Sequence, residues 1–287
     1  MSILTNKIDF AVILTVKNAN PNGDPLNGNR PRSNYDGYGE ISDVCLKRKI
    51  RNRLLTMKQP VFVQSDDNKV DCYKSLRERA EACEELKKAG KDREKYAAAA
   101  CRQWIDVRSF GQVFAFSGKD EKGVSVGVRG PVSIHTAVSL SPIDITSMQI
   151  TKSVNSETKE NSDKKSSDTM GQKHRVDFGV YVFYGSINPQ LASKTGFTDE
   201  DSELIRQSLI TLFENDSSSA RPDGSMEVYK VYWWKHNSPN GQYSSAKVHR
   251  SLHFKVRDGV DRPKNIQDYD FSITPLESLS PEVYDGI

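Results

Sequence analysis

"VDFGVYVFYGSI", residues 176 to 187, decides the fold. Val176, Phe178, Val180 and Val182 alternate with residues of the opposite face, the period of a β-strand. The segment before it, "KSVNSETKENSDKKSSDTMGQKHR" (152–175), has only Val154 and Met170 as clear apolar residues. It reads as a flexible excursion, with order resuming at 176. C-terminal to the strand, Thr198 is an N-cap ahead of the stripe Leu204, Ile205, Leu209, Leu212 and Phe213, which predicts a helix. "MEVYKVYWWKH" (226–236) alternates again as a strand, with Trp233 and Trp234 on opposite faces and at least one of them structural. "VHRSLHFKV" (248–256) reads as one more strand.

Toward the N-terminus, residues 104 to 140 have a β pattern, and 65 to 103 read as charged helix divided at Gly90. "IDFAVILTV" (8–16) is a buried strand. The loop after it, "NANPNGDPLNGNRPRSNYDGYG" (18–39), holds six asparagines, four glycines and three prolines, a long connection of the kind that carries function. Ser42 then caps a helix with the stripe Leu46, Ile50, Leu54 and Met57, closed by Pro60. The order strand, helix, β insertion, strand, helix, strand predicts an α+β fold of the ferredoxin-like or RRM-like kind, expanded by insertions. Helices on one face of an antiparallel sheet would leave the other face free to bind.

At 287 residues, 36% hydrophobic and with a mean hydropathy of −0.64, the chain can bury a real core and has no run long enough for a membrane span. No export signal is read at the N-terminus. Cys45, Cys72, Cys83 and Cys101 stand singly, as reduced thiols in a cytoplasmic protein do, without the spacing of a zinc site. No P-loop, complete G-x-G-x-x-G, H-E-x-x-H or G-x-S-x-G occurs, so no cofactor, metal or catalytic constellation is expected. His249 and His253 are four apart, but in strand-like surroundings.

Charge is the anomaly. The net charge is only +3, yet Lys47, Arg48, Lys49, Arg51 and Arg53 fall within seven positions that hold no acid. The remaining 36 Lys and Arg face 38 acids. On a helical wheel Lys47, Arg48 and Arg51 flank the apolar stripe, whereas Lys49 and Arg53 lie across it. Only Asp43 stands four residues from a cation of this set, so the flank looks unpaired and suited to phosphate. A solvated helix face is the alternative. In the 18–39 loop Asn18, Asn20, Asn22, Arg30 and Arg32 offer donors to a sugar-phosphate chain. In "DVRSFG" (106–111), Arg108 on a phosphate and Phe110 on a base would suit single-stranded RNA; an Asp106–Arg108 pair at a strand end is the other reading. Lys173, His174 and Arg175 could grip a backbone, with Met170 as an apolar wedge between bases. Asp24 and Asp36 are acid/base candidates only as loop aspartates, in a rival reading as a metal-dependent RNA endonuclease.

The stretches "NANPNGDPLNGNRPR", "DVCLKRKIRN", "DVRSFG", "VRGPV", "GQKHRVDFGVYVFYGSINP" and "TGFTDED", in this order from about residue 8 to 235, resemble the backbone subunit of type I-C CRISPR Cascade complexes, the Csd-two subgroup of the Cas-seven family. The resemblance implies an RRM-like palm (1–59, 104–140 and 176–287), a helical fingers insertion (60–103) and an extended thumb arm (141–175). It implies a non-catalytic subunit that polymerises with copies of itself along one CRISPR guide RNA and reaches target DNA through that guide. Cas-five, Cas-eight and Cas-eleven family subunits would be its partners. The family's guide-contacting helix matches the one carrying Lys47, Arg48 and Arg51. Related type III subunits cleave RNA with a loop aspartate, an activity that the type I-C resemblance does not carry over.

Overall fold

The computed structural model describes residues 2–115, 125–151 and 170–287. In chain order the elements are β1 (Ile8–Ala19), β2 (Gly23–Asp24), β3 (Arg30–Pro31), β4 (Tyr38–Ile41) and α1 (Asp43–Thr56). Three helices follow, α2 (Leu76–Ala82), α3 (Glu84–Ala89) and α4 (Arg93–Gln103), and then α5 (Ile105–Phe110). The β region comprises β5 (Gly111–Ala115), β6 (Ser125–Arg129), β7 (Val132–Ile134), β8 (Ala137–Pro142), β9 (Ile145–Thr151) and β10 (Met170–Ile187). The chain continues through α6 (Pro189–Thr195), α7 (Asp199–Ile210), β11 (Met226–Lys235), α8 (Ser245–His249), β12 (Leu252–Val256), β13 (Tyr269–Ile273) and β14 (Glu282–Asp285).

The main sheet runs β14-β11-β1-β10-β8-β4, with every neighbouring pair antiparallel. β1 lies between β10 and β11, and its alternating side chains serve two cores. Phe10, Val12, Leu14 and Val16 pack with Leu46, Ile50 and Leu54 of α1 and Ile205 and Leu209 of α7. Ala11 and Ile13 face the other way, against Val248 of α8, Leu252 of β12 and Tyr269 of β13. The second face is therefore covered by the C-terminal segment, which corrects the expectation of an open binding face. Burial on both sides also explains Trp233 and Trp234. Each is fully enclosed, Trp233 stacked on Phe10 at 5.4 Å and Trp234 on Tyr232 at 6.0 Å.

Beside the main sheet a separate core gathers Phe62, Ala80, Leu86, Ala99, Ala100 and Cys101. It does not stop at residue 103: Trp104, Val107, Phe114 and Val126 belong to it. Two local expectations change. "DVRSFG" is helix α5 and not a strand end; it stops at Gly111, whose φ of 81° suits glycine and where a Cβ would sit 2.3 Å from the Val128 carbonyl oxygen. "VHRSLHFKV" splits into the end of α8 and β12.

Order begins before 176. Residues 170–176 are already the first part of β10 and pair with β9 in an antiparallel ribbon, Met170 opposite Thr151 through Val176 opposite Ile145. The remainder of the expected flexible excursion, 152–169, lies outside the described residues.

Candidate nucleic-acid interface

Ser42 caps α1 by accepting from the Cys45 amide, and its own amide is held by Asn22 Oδ1 at 2.9 Å. The loop that follows β1 is thus tied to the start of the basic helix. All five cations of α1 have acidic partners, which corrects the reading of an unpaired flank. Lys47 pairs with Asp43 at 2.9 Å and Arg48 with Asp67 at 3.1 Å. Lys49 binds Asp216, Arg51 binds Asp106 at 2.9 Å, and Arg53 binds Glu214 at 2.7 Å and the Thr211 hydroxyl at 3.0 Å.

These pairs differ in kind. The side chains of Lys49 and Arg53 are 4% and 8% exposed, Arg51 14%. They are enclosed between α1 and its neighbours, where losing one partner strands a charge. Burial pushes the Lys49 ammonium below its usual value, with Asp216 pulling the other way. Arg48 and Asp67 are 59% and 67% exposed, a solvated pair of small worth that another anion can replace.

Asp106 does more than neutralise Arg51. Its carboxylate accepts from the Phe62 and Val63 amides at 2.7 and 3.1 Å, so it joins α1 to the entry of the second core. The Arg51 guanidinium lies 5.2 Å from the Phe110 ring, which is partly buried against the main core. Arg108 makes a forked contact with Asp201, 2.8 Å on each arm, and Asp201 also completes the capping box of α7 with Thr198. The expected Asp106–Arg108 pair does not form. Arg108 and Phe110 are both engaged in contacts that join elements of the fold.

The Asn-rich loop also spends donors on itself. Asn20 is buried and donates to the Asn29 carbonyl at 2.7 Å. Asp24 caps the turn at Pro25–Asn27, accepting from the Leu26 amide, and pairs with Arg32 at 3.3 Å. Asp36 sits in an exposed turn whose amide is held by Asn34. Arg30 crosses to the ribbon, donating to Ser147 Oγ at 2.8 Å, and that oxygen also lies 2.8 Å from His174 Nδ1. His174 is buried on this side. Lys173 and Arg175, its neighbours in the strand, project to the opposite face by the period of two. Met170 is exposed, with its sulfur 3.0 Å from Gln149 Nε2.

One cleft collects what the sequence could not. About 260 Å³ in volume, it lies where the loop after β1, α1, the 67–68 turn and the 215–221 loop meet. Asn22 and Arg48 were foreseen there; Asn52, Asn68, Ser217, Ser218 and Arg221 were not. "NDSSSAR" (215–221) shows only turn chemistry in sequence, and nothing local places it against a helix formed some 160 positions earlier in the chain. Cys45 also lines this cleft, and burial raises its thiol pKa, keeping it protonated.

The model of the family CRISPR-associated protein Cas7 matches residues 6–274. The chain belongs to the Cas7 family. A curated relative, CRISPR-associated protein Cas7 of Haloferax volcanii, is 25% identical over 237 residues, covering 75% of this chain and 66% of that protein, slightly under two thirds of its length. A chain of a solved CRISPR RNA-guided surveillance complex, pre-nicking, overlays with a TM-score of 0.49 at 15% identity, over 79% of this chain and 78% of that one. A chain of a second CRISPR RNA-guided surveillance complex gives 0.43 at 16%, over 79% and 68%. Among the described residues no helix is long and apolar enough to cross a membrane.

Proposed function

We propose that this Cas7 family member is a non-catalytic backbone subunit of a type I-C CRISPR surveillance complex, polymerising along a guide RNA in the cytoplasm. The observation that carries the reading is the family match, which runs over nearly the whole chain. The architecture agrees with it. The antiparallel order β11-β1-β10-β8, with α1 and α7 on one face, supports reading this part of the chain as an RRM-like palm. The second core, from Phe62 to Val126, serves as fingers, and the β9–β10 ribbon as the root of a thumb.

Lys47 and Arg48 are the cations of α1 that meet the guide, because they are the most exposed of the five and Arg48 is in a solvated pair. Arg51 acts through Asp106 on the fingers and does not touch phosphate. Asn22, Arg32, Lys173 and Arg175 hold backbone along the loop and the ribbon, and Met170 works at the ribbon's exposed end. Contacts of this kind are independent of base sequence and leave the bases for pairing with target DNA. Repetition along the guide turns a modest grip per copy into avidity. Cas-five, Cas-eight and Cas-eleven family subunits complete the assembly.

The test is the absorbance ratio and size of the purified protein. A large species with nucleic-acid absorbance that RNase dissolves is expected, and its loss in the double variant Lys47→Glu/Arg48→Glu. A monomer free of RNA, with no salt-dependent RNA affinity, would defeat the proposal.

A further inference from the structure

The cleft between α1 and the 215–221 loop has a composition that selects one part of a nucleic acid. Its charged lining is three cations, Arg48, Lys49 and Arg221, against Asp67 and Asp216. Lys49 and Asp216 are committed to each other below the surface, 4% and 14% exposed. What faces solvent is Arg48 on one wall and Arg221, 29% exposed, on the other, with Asn52, Ser217 and Ser218 in the same lining. No aromatic ring among the described residues lines the cleft, so a base has nothing to stack on there. Two guanidiniums with hydroxyls and amides between them suit a phosphate and its sugar. Without ligand, the carboxylate of Asp67 lies within 3.1 and 3.4 Å of Arg48 Nη2. Both oxygens share that one nitrogen, so Asp67 holds a single arm of the guanidinium, a place that a phosphate oxygen could take.

We infer that this cleft seats one sugar-phosphate unit of single-stranded RNA between Arg48 and Arg221, and that Asp67 is an internal stand-in which the phosphate displaces. The inference rests on the guide-binding reading above and adds to it a second wall and a built-in competitor. Arg221 gives its Nε to Asp216 at 3.3 Å, a contact that holds the guanidinium at the cleft. Asp67 makes binding an exchange of one anion for another. A weak or isolated anion gains little from that exchange, whereas a polyanion that also releases counterions gains at every copy.

The test uses the full chain stripped of nucleic acid and two fluorescein-labelled single-stranded RNAs of unrelated sequence, followed by anisotropy across a salt series. Arg221→Gln should weaken both RNAs about tenfold at low salt, the loss of one charged hydrogen-bond partner. It should also lower the salt slope by about one. Asp67→Asn should tighten both about two- to fivefold, the equivalent of one exposed ion pair removed from competition. Arg221→Lys should keep the slope and lose part of the affinity. Unchanged binding by Arg221→Gln, with binding weakened by Arg48→Gln, would remove the second wall and leave the guide reading standing. Neutral or weaker binding by Asp67→Asn would remove the stand-in. An effect confined to one RNA sequence would overturn a backbone site. If Arg221→Lys is as weak as Arg221→Gln and both melt early, Arg221 is structural and the inference fails. A wild-type chain without salt-dependent RNA affinity would take the guide reading down as well.

Discussion

The inward and outward sides of α1 carry the same residue types and are in different physical states. Inward, Lys49, Arg51 and Arg53 are closed in with Asp216, Asp106 and Glu214. Outward, Arg48 holds Asp67 in water, and Lys47, 25% exposed, holds Asp43 at the edge of that face. In a closed site the attraction is strong, but so is the cost of leaving either charge alone. At the surface both are small. A run of lysine and arginine is therefore two devices on one helix: a brace that fixes the 211–216 turn and the fingers, and a contact free to change partners.

The contrast breaks most readily at Asp106. Asp106→Ala strands Arg51 and two amides, and should lower the free energy of unfolding by about 3–5 kcal/mol in urea titration. A loss under about 1 kcal/mol would mean that the inner side is not a brace. Arg53→Met keeps bulk but leaves Thr211 and the half-exposed Glu214 without their donor, for an expected loss of about 1–2 kcal/mol. Lys47→Gln and Arg48→Gln should cost under about 0.5 kcal/mol each while lowering RNA retention. If stability falls as far as in the inner variants, the two sides are one device.

A buried ionic group outside α1 sharpens the same distinction through pH. Asp9 is fully enclosed, 2.8 Å from His236 Nε2, 3.0 Å from Lys7 Nζ and 3.9 Å from His249 Nε2. His236 Nδ1 accepts from the Gln242 amide, so Nε2 carries the proton toward Asp9. His249 is pushed below its ordinary value near 6.5, by burial first, with Asp9 pulling upward. The unfolded chain takes up that proton as pH falls below about 6.5 while the fold resists it, so stability declines from neutral pH downward. Asp9 is also held below its ordinary range. Burial acts upward on it, but the His236, Ser245 and Lys7 contacts outweigh it, so its share is lost only at stronger acidity. Melting temperature should drop between pH 7 and 5.5, and less steeply in His249→Gln. Equal slopes would place the titration elsewhere.

Much of this was legible residue by residue. The stripe Leu46, Ile50 and Leu54, the caps Ser42 and Thr198, and the strands at 8–16, 176–187 and 226–235 follow from periods of 3.6 and 2. Lys49 and Arg53 lying across the apolar stripe were a visible sign of burial, because a cation on a core-facing position needs an internal acid. The second sheet face was misjudged because Ala11 and Ile13 read as apolar whether they meet solvent, a partner or residues 245–279 of the same chain. Arg108 and Phe110 were misplaced because six residues ending in glycine fit a strand end or a short helix equally well.

By itself the sequence determined where this chain bends, which faces are apolar and that one helix is dense in positive charge, since those properties arise between residues a few positions apart. Only the tertiary structure decided which acids answer that charge and which pairs are closed from water. The acids that answer Arg48, Arg51, Arg53 and Lys49 stand 19, 55, 161 and 167 positions away. Electrostatic partnership depends on distance in space and on exclusion of water, and neither is written in the local order of residues.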